Sequence, residues 1–91
     1  MVLLNFTEYG CAAPRLMDTY ELAIIYTAAQ EIYQEFSDSA VEAMLEDWEI
    51  GLTWTSTDSA VDSDWYTRAA LVVALRGLRG DRKPTWIHIR D

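Results

Sequence analysis

Apolar positions recur along this chain at two different periods, and the periods divide it into elements. Leu22, Ile25, Tyr26, Ala29, Ile32, Tyr33 and Phe36 each lie three or four residues from others of the set. That spacing lines one face of an α-helix of about five turns. Asp18-Thr19-Tyr20-Glu21 ahead of it has capping-box spacing, with Asp in place of Ser or Thr. The cluster Ser37-Asp38-Ser39 ends this helix and opens the next. Ser39-x-x-Glu42 is a second capping box, and Val41, Met44, Leu45, Trp48 and Leu52 continue at helical spacing. Gly51 is the expected C-terminal stop, since glycine accepts the left-handed conformation that closes many helices. Two helices joined by so short a turn are expected to form an antiparallel helical hairpin.

Strand spacing is found elsewhere. Val2, Leu4 and Phe6 alternate with Leu3, Asn5 and Thr7, so Val2–Glu8 reads as a half-buried strand that Gly10 to Pro14 breaks. Leu52-Thr53-Trp54-Thr55 alternates briefly and reads as a short strand. The polar run Ser56–Asp64 reads as a loop. A third helix is expected from about Trp65 to Arg79, capped by Ser63 or Asp64 and closed by Gly80. Its middle, Ala69–Leu75, is apolar nearly all round, which predicts the most buried helix. After Pro84, Thr85–Arg90 alternates again, with Ile87 and Ile89 on one side and Trp86, His88 and Arg90 on the other. The predicted order is β-α-α-(β)-α-β. The predicted class is α+β, with three helices packed on one face of a small two- or three-stranded sheet whose pairing order the sequence leaves open.

Composition limits what this fold can be. Ninety-one residues, 51% of them hydrophobic, correspond to one small globular domain over residues 1–91. The only cysteine, Cys11, excludes an internal disulfide, which fits a reducing compartment. Met1–Phe6 lacks the basic start of a signal peptide, and the longest later apolar run, Ala69–Leu75, falls far short of the roughly 20 residues that span a bilayer. A cytoplasmic protein is expected.

Charge is distributed unevenly. From Leu16 to Thr67 there is no lysine or arginine, yet the stretch holds twelve carboxylates. Six of the seven basic residues follow it: Arg68, Arg76, Arg79, Arg82, Lys83 and Arg90. A net charge of −8 disfavours nucleic acid and anionic membrane as direct partners, because both are polyanions. Within the second helix Glu42, Glu46 and Glu49 share one face, with Asp47 beside them, and in the first helix Glu31 and Glu35 stand four apart. Like charges at that spacing cost roughly 0.2–0.5 kcal/mol each, and neither helix carries a cation to relieve them. Two readings stay open: a merely solvated acidic surface, or one that docks on a basic groove. The basic segment from Arg76 to Arg90 is expected to pair with the first two helices and to complement a helix C-terminus rather than bind nucleic acid.

Catalytic and metal chemistry finds little support. Asp58, Asp62 and Asp64 suggest a calcium loop, but counting from Asp62 the required glycine is Thr67 and the required glutamate is Val73. Cys11 and His88 are the only residues of their kinds, and no nucleophile-loop pattern surrounds the thiol. There is no phosphate-binding glycine loop, zinc spacing or dinucleotide fingerprint. No cofactor and no metal are expected, and the chain is read as a non-enzyme.

The base-free stretch Leu16–Thr67, the Glu42/Glu46/Glu49 face, the short single domain and the want of a catalytic motif together resemble, in composition, small acidic inhibitor proteins of phages and mobile elements, of the anti-CRISPR and anti-restriction type. The basic C-terminal segment departs from the wholly acidic decoys of that class. The resemblance implies inhibition of a nucleic-acid-handling protein by occupying a basic surface, with Glu31, Glu35, Glu42, Glu46, Asp47 and Glu49 as the partner-binding residues. Trp48, Trp54 or Tyr20 would supply contact energy. The alternatives are an antitoxin or immunity protein that neutralises a cationic toxin, and a small structural subunit forming a homodimer through Trp86 and the sheet edge.

Overall fold

The computed structural model describes residues 1–4, 6, 9, 15–56 and 63–80. Two strands are followed by three helices: β1 (Val2–Leu4), β2 (Arg15–Met17), α1 (Thr19–Glu35), α2 (Asp38–Ser56) and α3 (Ser63–Arg79). The protein is thus a small, mostly helical α+β fold.

The strands pair antiparallel, with Val2 opposite Met17, Leu3 opposite Leu16 and Leu4 opposite Arg15. Side chains alternate across a strand, so one face carries Val2, Leu4, Arg15 and Met17 and the other Leu3 and Leu16. Leu4 and Met17 are buried, whereas Leu3 and Leu16 are exposed. The Val2/Leu4/Phe6 set therefore faces the core, as its alternation predicts. The partner strand differs from expectation. A three-residue run between Pro14 and Asp18 is too short to show a period, so its spacing predicts no strand there. The expected last strand, Thr85–Arg90, lies outside the described residues, as do Cys11 and His88.

α1 begins where its cap dictates. Asp18 has extended dihedrals, φ −68° and ψ 137°, and its Oδ1 accepts from the Tyr20 N–H at 2.9 Å. Leu22, Ile25 and Ala29 are buried. α2 starts earlier than expected. Ser37, not Ser39, is the cap: its Oγ accepts from the Ala40 N–H at 3.3 Å, and its carbonyl accepts the first helical bond from Val41 at 2.9 Å.

α2 also runs past its expected stop. Gly51 does not close the helix, and Leu52–Thr55 is helical rather than a strand. The reason lies in the core. Leu52 is 2% exposed and extends the stripe of Val41 and Leu45, and its carbonyl accepts from the Trp65 indole N–H at 3.1 Å. Burying a leucine is worth about 1.5–3 kcal/mol, which exceeds the roughly 1 kcal/mol that a mid-helix glycine costs.

α3 is the centre of the fold. Ala69, Ala70, Val72, Ala74 and Leu75 are completely buried. α1 and α2 each pack against α3 and meet each other only slightly. The expected α1–α2 hairpin is accordingly replaced by two helices that share α3 as their common partner. Its apolar middle has little solvent-facing side, which is what that role requires. At its start, Trp65 and Tyr66 join Phe6 in an aromatic cluster with centroids 5.2–5.9 Å apart. The Arg15 guanidinium lies 5.1 Å from the Tyr66 ring centroid, which accommodates a cation on the inner sheet face. Gly80, at φ 85°, closes the helix in the left-handed conformation.

Candidate partner-binding surface

The six carboxylates expected to form a docking surface fall into two groups. Glu42 and Glu49 stand on the side of α2 that borders α3. Arg76 Nη2 donates to Glu49 Oε1 at 2.5 Å, and Arg76 Nε donates to Oε2 at 3.3 Å. Arg79 pairs with Glu42, and Arg76 also lies 4.0 Å from the same carboxylate. Arg76, Arg79 and Glu49 have side chains 16%, 21% and 21% exposed and Glu42 38%, so the Arg76–Glu49 end of the network is the part most withdrawn from water. The last turn of α3 therefore relieves the like-charge repulsion that α2 alone cannot. The expected pairing of basic segment with acidic helix is present for these two arginines. It also changes the standing of Glu49, which sequence reasoning left without a structural role.

Glu31, Glu35, Glu46 and Asp47 are different. All four are exposed, and their side chains make no ion pair or hydrogen bond with another described residue. Glu31 and Glu35 lie on α1, Glu46 and Asp47 on α2. The four exposed carboxylates are thus divided between two helices, two on each.

Apolar side chains accompany each face. On α1, Tyr20 and Ile24 are 74% and 55% exposed, one turn apart. On α2, Ile50 and Trp54 are 60% and 77% exposed. Since α2 continues through Gly51, Glu46, Ile50 and Trp54 occupy i, i+4 and i+8 of one helix and fall on one side of it. Glu46, Glu49, Ile50, Thr53 and Trp54 line a shallow depression open to solvent. Ile50 was missed in the sequence because a helix stop at Gly51 would cut it off from Trp54. The i, i+4 spacing of residues 46, 50 and 54 was the available signal. Trp48, by contrast, is half-buried against the core and is not a surface aromatic.

Among the described residues no group of His, Cys, Asp and Glu side chains could hold a metal ion. Asp64 stands exposed in the first turn of α3, where its charge suits the helix dipole. Asp58 and Asp62 lie outside the described residues. No described helix is long and apolar enough to cross a membrane. No family model matches the chain, and neither the curated proteins nor the solved structures include one that does.

Proposed function

We propose that this chain is a non-catalytic binding protein that inhibits a nucleic-acid-handling protein, in the manner of an anti-CRISPR protein, by docking an acidic helical surface on a basic patch. The observation that carries the reading is the fate of the carboxylates. Where the fold needs negative charge, at Glu42 and Glu49, it supplies arginines from α3. At Glu31, Glu35, Glu46 and Asp47 no other described residue supplies one, in a stretch without lysine or arginine from Leu16 to Thr67. A helix that had only to stay soluble would interleave both signs. Carboxylates one helical turn apart repeat about every 6 Å, a spacing suited to facing a groove lined with Lys and Arg. Complementary charge steers encounter and selects partners, and exposed Trp54, Ile50 and Tyr20 supply the apolar contact that charge alone does not. The proposal places the protein in the cytoplasm with its target, and it involves neither nucleic acid nor membrane directly. It keeps Thr85–Arg90 as a third strand, on its alternation alone.

The test is capture from host lysate on immobilised protein at low and high salt, beside the variant E31K/E35K/E46K/D47K. The expected result is a basic nucleic-acid-binding protein that salt releases and the variant does not retain. A target held equally by both proteins would remove the acidic faces from the account.

A second reading is a homo-oligomerising subunit. It is favoured by Leu3 and Leu16, cross-strand partners that both stand exposed on the outer sheet face, 62% and 56%. A strictly monomeric mass at high concentration would count against it. The antitoxin or immunity alternative uses the same acidic physics, and differs in that the captured protein would be a cationic toxin.

A further inference from the structure

α1 carries two stripes. Leu22, Ile25, Ala29 and Ile32 pack inward. Helical residues advance by about 100° each, which gathers Tyr20, Ile24, Thr27, Glu31 and Glu35 on the opposite side. All five are exposed. Their steps of four, three, four and four repeat the period by which one helix packs along another. This outer stripe is divided: Tyr20 and Ile24 make its N-terminal half apolar, and Glu31 and Glu35 make its C-terminal half acidic. No basic residue stands in the last turn of α1, so both carboxylates add to the negative end of the helix dipole. The side chains of Tyr20, Ile24, Glu31 and Glu35 have no hydrogen bond, ion pair or ring contact with another described residue. Thr27, between the halves, already donates its hydroxyl to the Ala23 carbonyl at 3.0 Å and asks nothing of a partner.

We infer that the outer stripe of α1 receives one amphipathic helix of the basic partner, with apolar side chains on Tyr20 and Ile24 and Arg or Lys on Glu31 and Glu35. The inference rests on the docking reading and gives it a place and a partner element. Charge decides the acidic half, where only a cationic segment gains. Backbone chemistry favours a helix over an extended segment. The N–H and C=O groups of α1 are spent within α1, so a strand laid along it would leave its own unpaired, whereas a helix satisfies itself. A second copy of the chain is the poorer occupant. Its α1 would bring the same carboxylates, against Glu31 and Glu35 if parallel and against Tyr20 and Ile24 if antiparallel.

The probe is a blocked, Ala-rich peptide of about 20 residues, long enough to be helical in isolation, with Leu at i and i+4 and Arg at i+11 and i+15. One comparator peptide moves both Arg to the opposite face, and another replaces them with Glu. Each is titrated into the full chain at constant ionic strength, and backbone amide signals are followed by NMR. The expected result is a saturable shift centred on Tyr20, Ile24, Glu31 and Glu35, weaker with the displaced Arg and missing with Glu. Glu31→Gln with Glu35→Gln should weaken the binding by about two- to tenfold, the share of two exposed ion pairs. Tyr20→Ala with Ile24→Ala should weaken it by about fivefold or more, the share of the lost apolar area. Glu46→Gln with Asp47→Gln, on α2, should leave it unchanged. All the replaced side chains are exposed, so an otherwise unchanged spectrum shows that the variants are folded. Equal binding of either comparator, an equal loss in the α2 variant, or no shift at all would each overturn the inference. So would shifts at the same four residues on concentrating the protein alone, which would assign the stripe to a second copy. Because the probe needs no target, this result is independent of lysate capture. Lost peptide binding with capture intact would sink only the α1 seat. A seated peptide with no basic protein captured would sink only the inhibitor reading.

Discussion

Arg76 of α3 clasps the carboxylate of Glu49 on α2 through two nitrogens, at 2.5 Å from Nη2 and 3.3 Å from Nε. This fork ties the two helices together at the point where α3 ends, and Arg79 adds a pair to Glu42 one turn from it. Planar guanidinium suits such a geometry and ammonium does not. Hydrogen bonds to partly buried charged groups are worth about 1.5–3 kcal/mol. A double-mutant cycle of Arg76→Met and Glu49→Gln, read by urea unfolding, is therefore expected to show a coupling of about 1–3 kcal/mol. Additive losses would mean that the fork contributes nothing to stability.

The same geometry separates stability from binding. Glu42→Lys would set a third cation beside Arg76 and Arg79, and is expected to lower stability by about 2 kcal/mol or more. Glu46→Lys and Asp47→Lys face water and should change stability by no more than about 0.5 kcal/mol. Urea midpoints of the three single variants check this. If Glu46→Lys proves as damaging as Glu42→Lys, the division of the carboxylates into two groups is wrong.

The two described glycines that could close helices should respond in opposite directions. Gly51 sits inside α2, and nothing lies within 4 Å of where a Cβ would be. Gly51→Ala is expected to stabilise the protein by about 0.5–1 kcal/mol, mostly through lost freedom of the unfolded chain. Gly80 holds φ +85°, where an L side chain is strained. Gly80→Ala is expected to cost about 1 kcal/mol. Thermal unfolding of both variants reads the signs, and a stabilising Gly80→Ala would contradict the left-handed cap.

Trp65 links three parts of the core. It is 1% exposed, meets Phe6 and Tyr66 edge-on, and donates to the Leu52 carbonyl. Trp65→Phe keeps most of the ring but deletes the donor, and is expected to cost about 1–3 kcal/mol. Hydrogen exchange should show the loss concentrated at the end of α2, residues 52–56, because that bond helps hold the helix beyond Gly51. Uniform loss over all three helices would argue against that role.

Much of this fold was legible because strong periodic signals coincide with burial. The stripe from Leu22 to Ala29, the Asp18 cap, the inward set Leu4 and Phe6, the apolar middle of α3 and the Gly80 cap all read directly from residue type and spacing. What failed did so for physical reasons. β2 is three residues long and has no period to detect. Gly51 looked like a stop because its local preference was read alone, while the burial of Leu52 that overrides it depends on α3. The α1–α2 hairpin was inferred from a short turn, yet which helix covers which is decided by the apolar faces, and α3 has the largest. For the candidate surface, charge pattern singled out six carboxylates, of which Glu42 and Glu49 are held by α3. It anticipated that the segment from Arg76 would pair with the first two helices, but not which carboxylates Arg76 and Arg79 would take, because Arg76 is 27 residues from Glu49.

The central claim is that the outer carboxylates of α1 and α2, and not those held by α3, bind a basic target. The most direct measurement is the affinity of the captured target for the parent chain and for E31K/E35K/E46K/D47K, across a range of salt and with unfolding midpoints as the control. The account predicts a folded variant that binds about tenfold or more weakly and a parent affinity that falls as salt screens the charges over about 10 Å. A folded variant with undiminished affinity, or a parent affinity indifferent to salt, would contradict it.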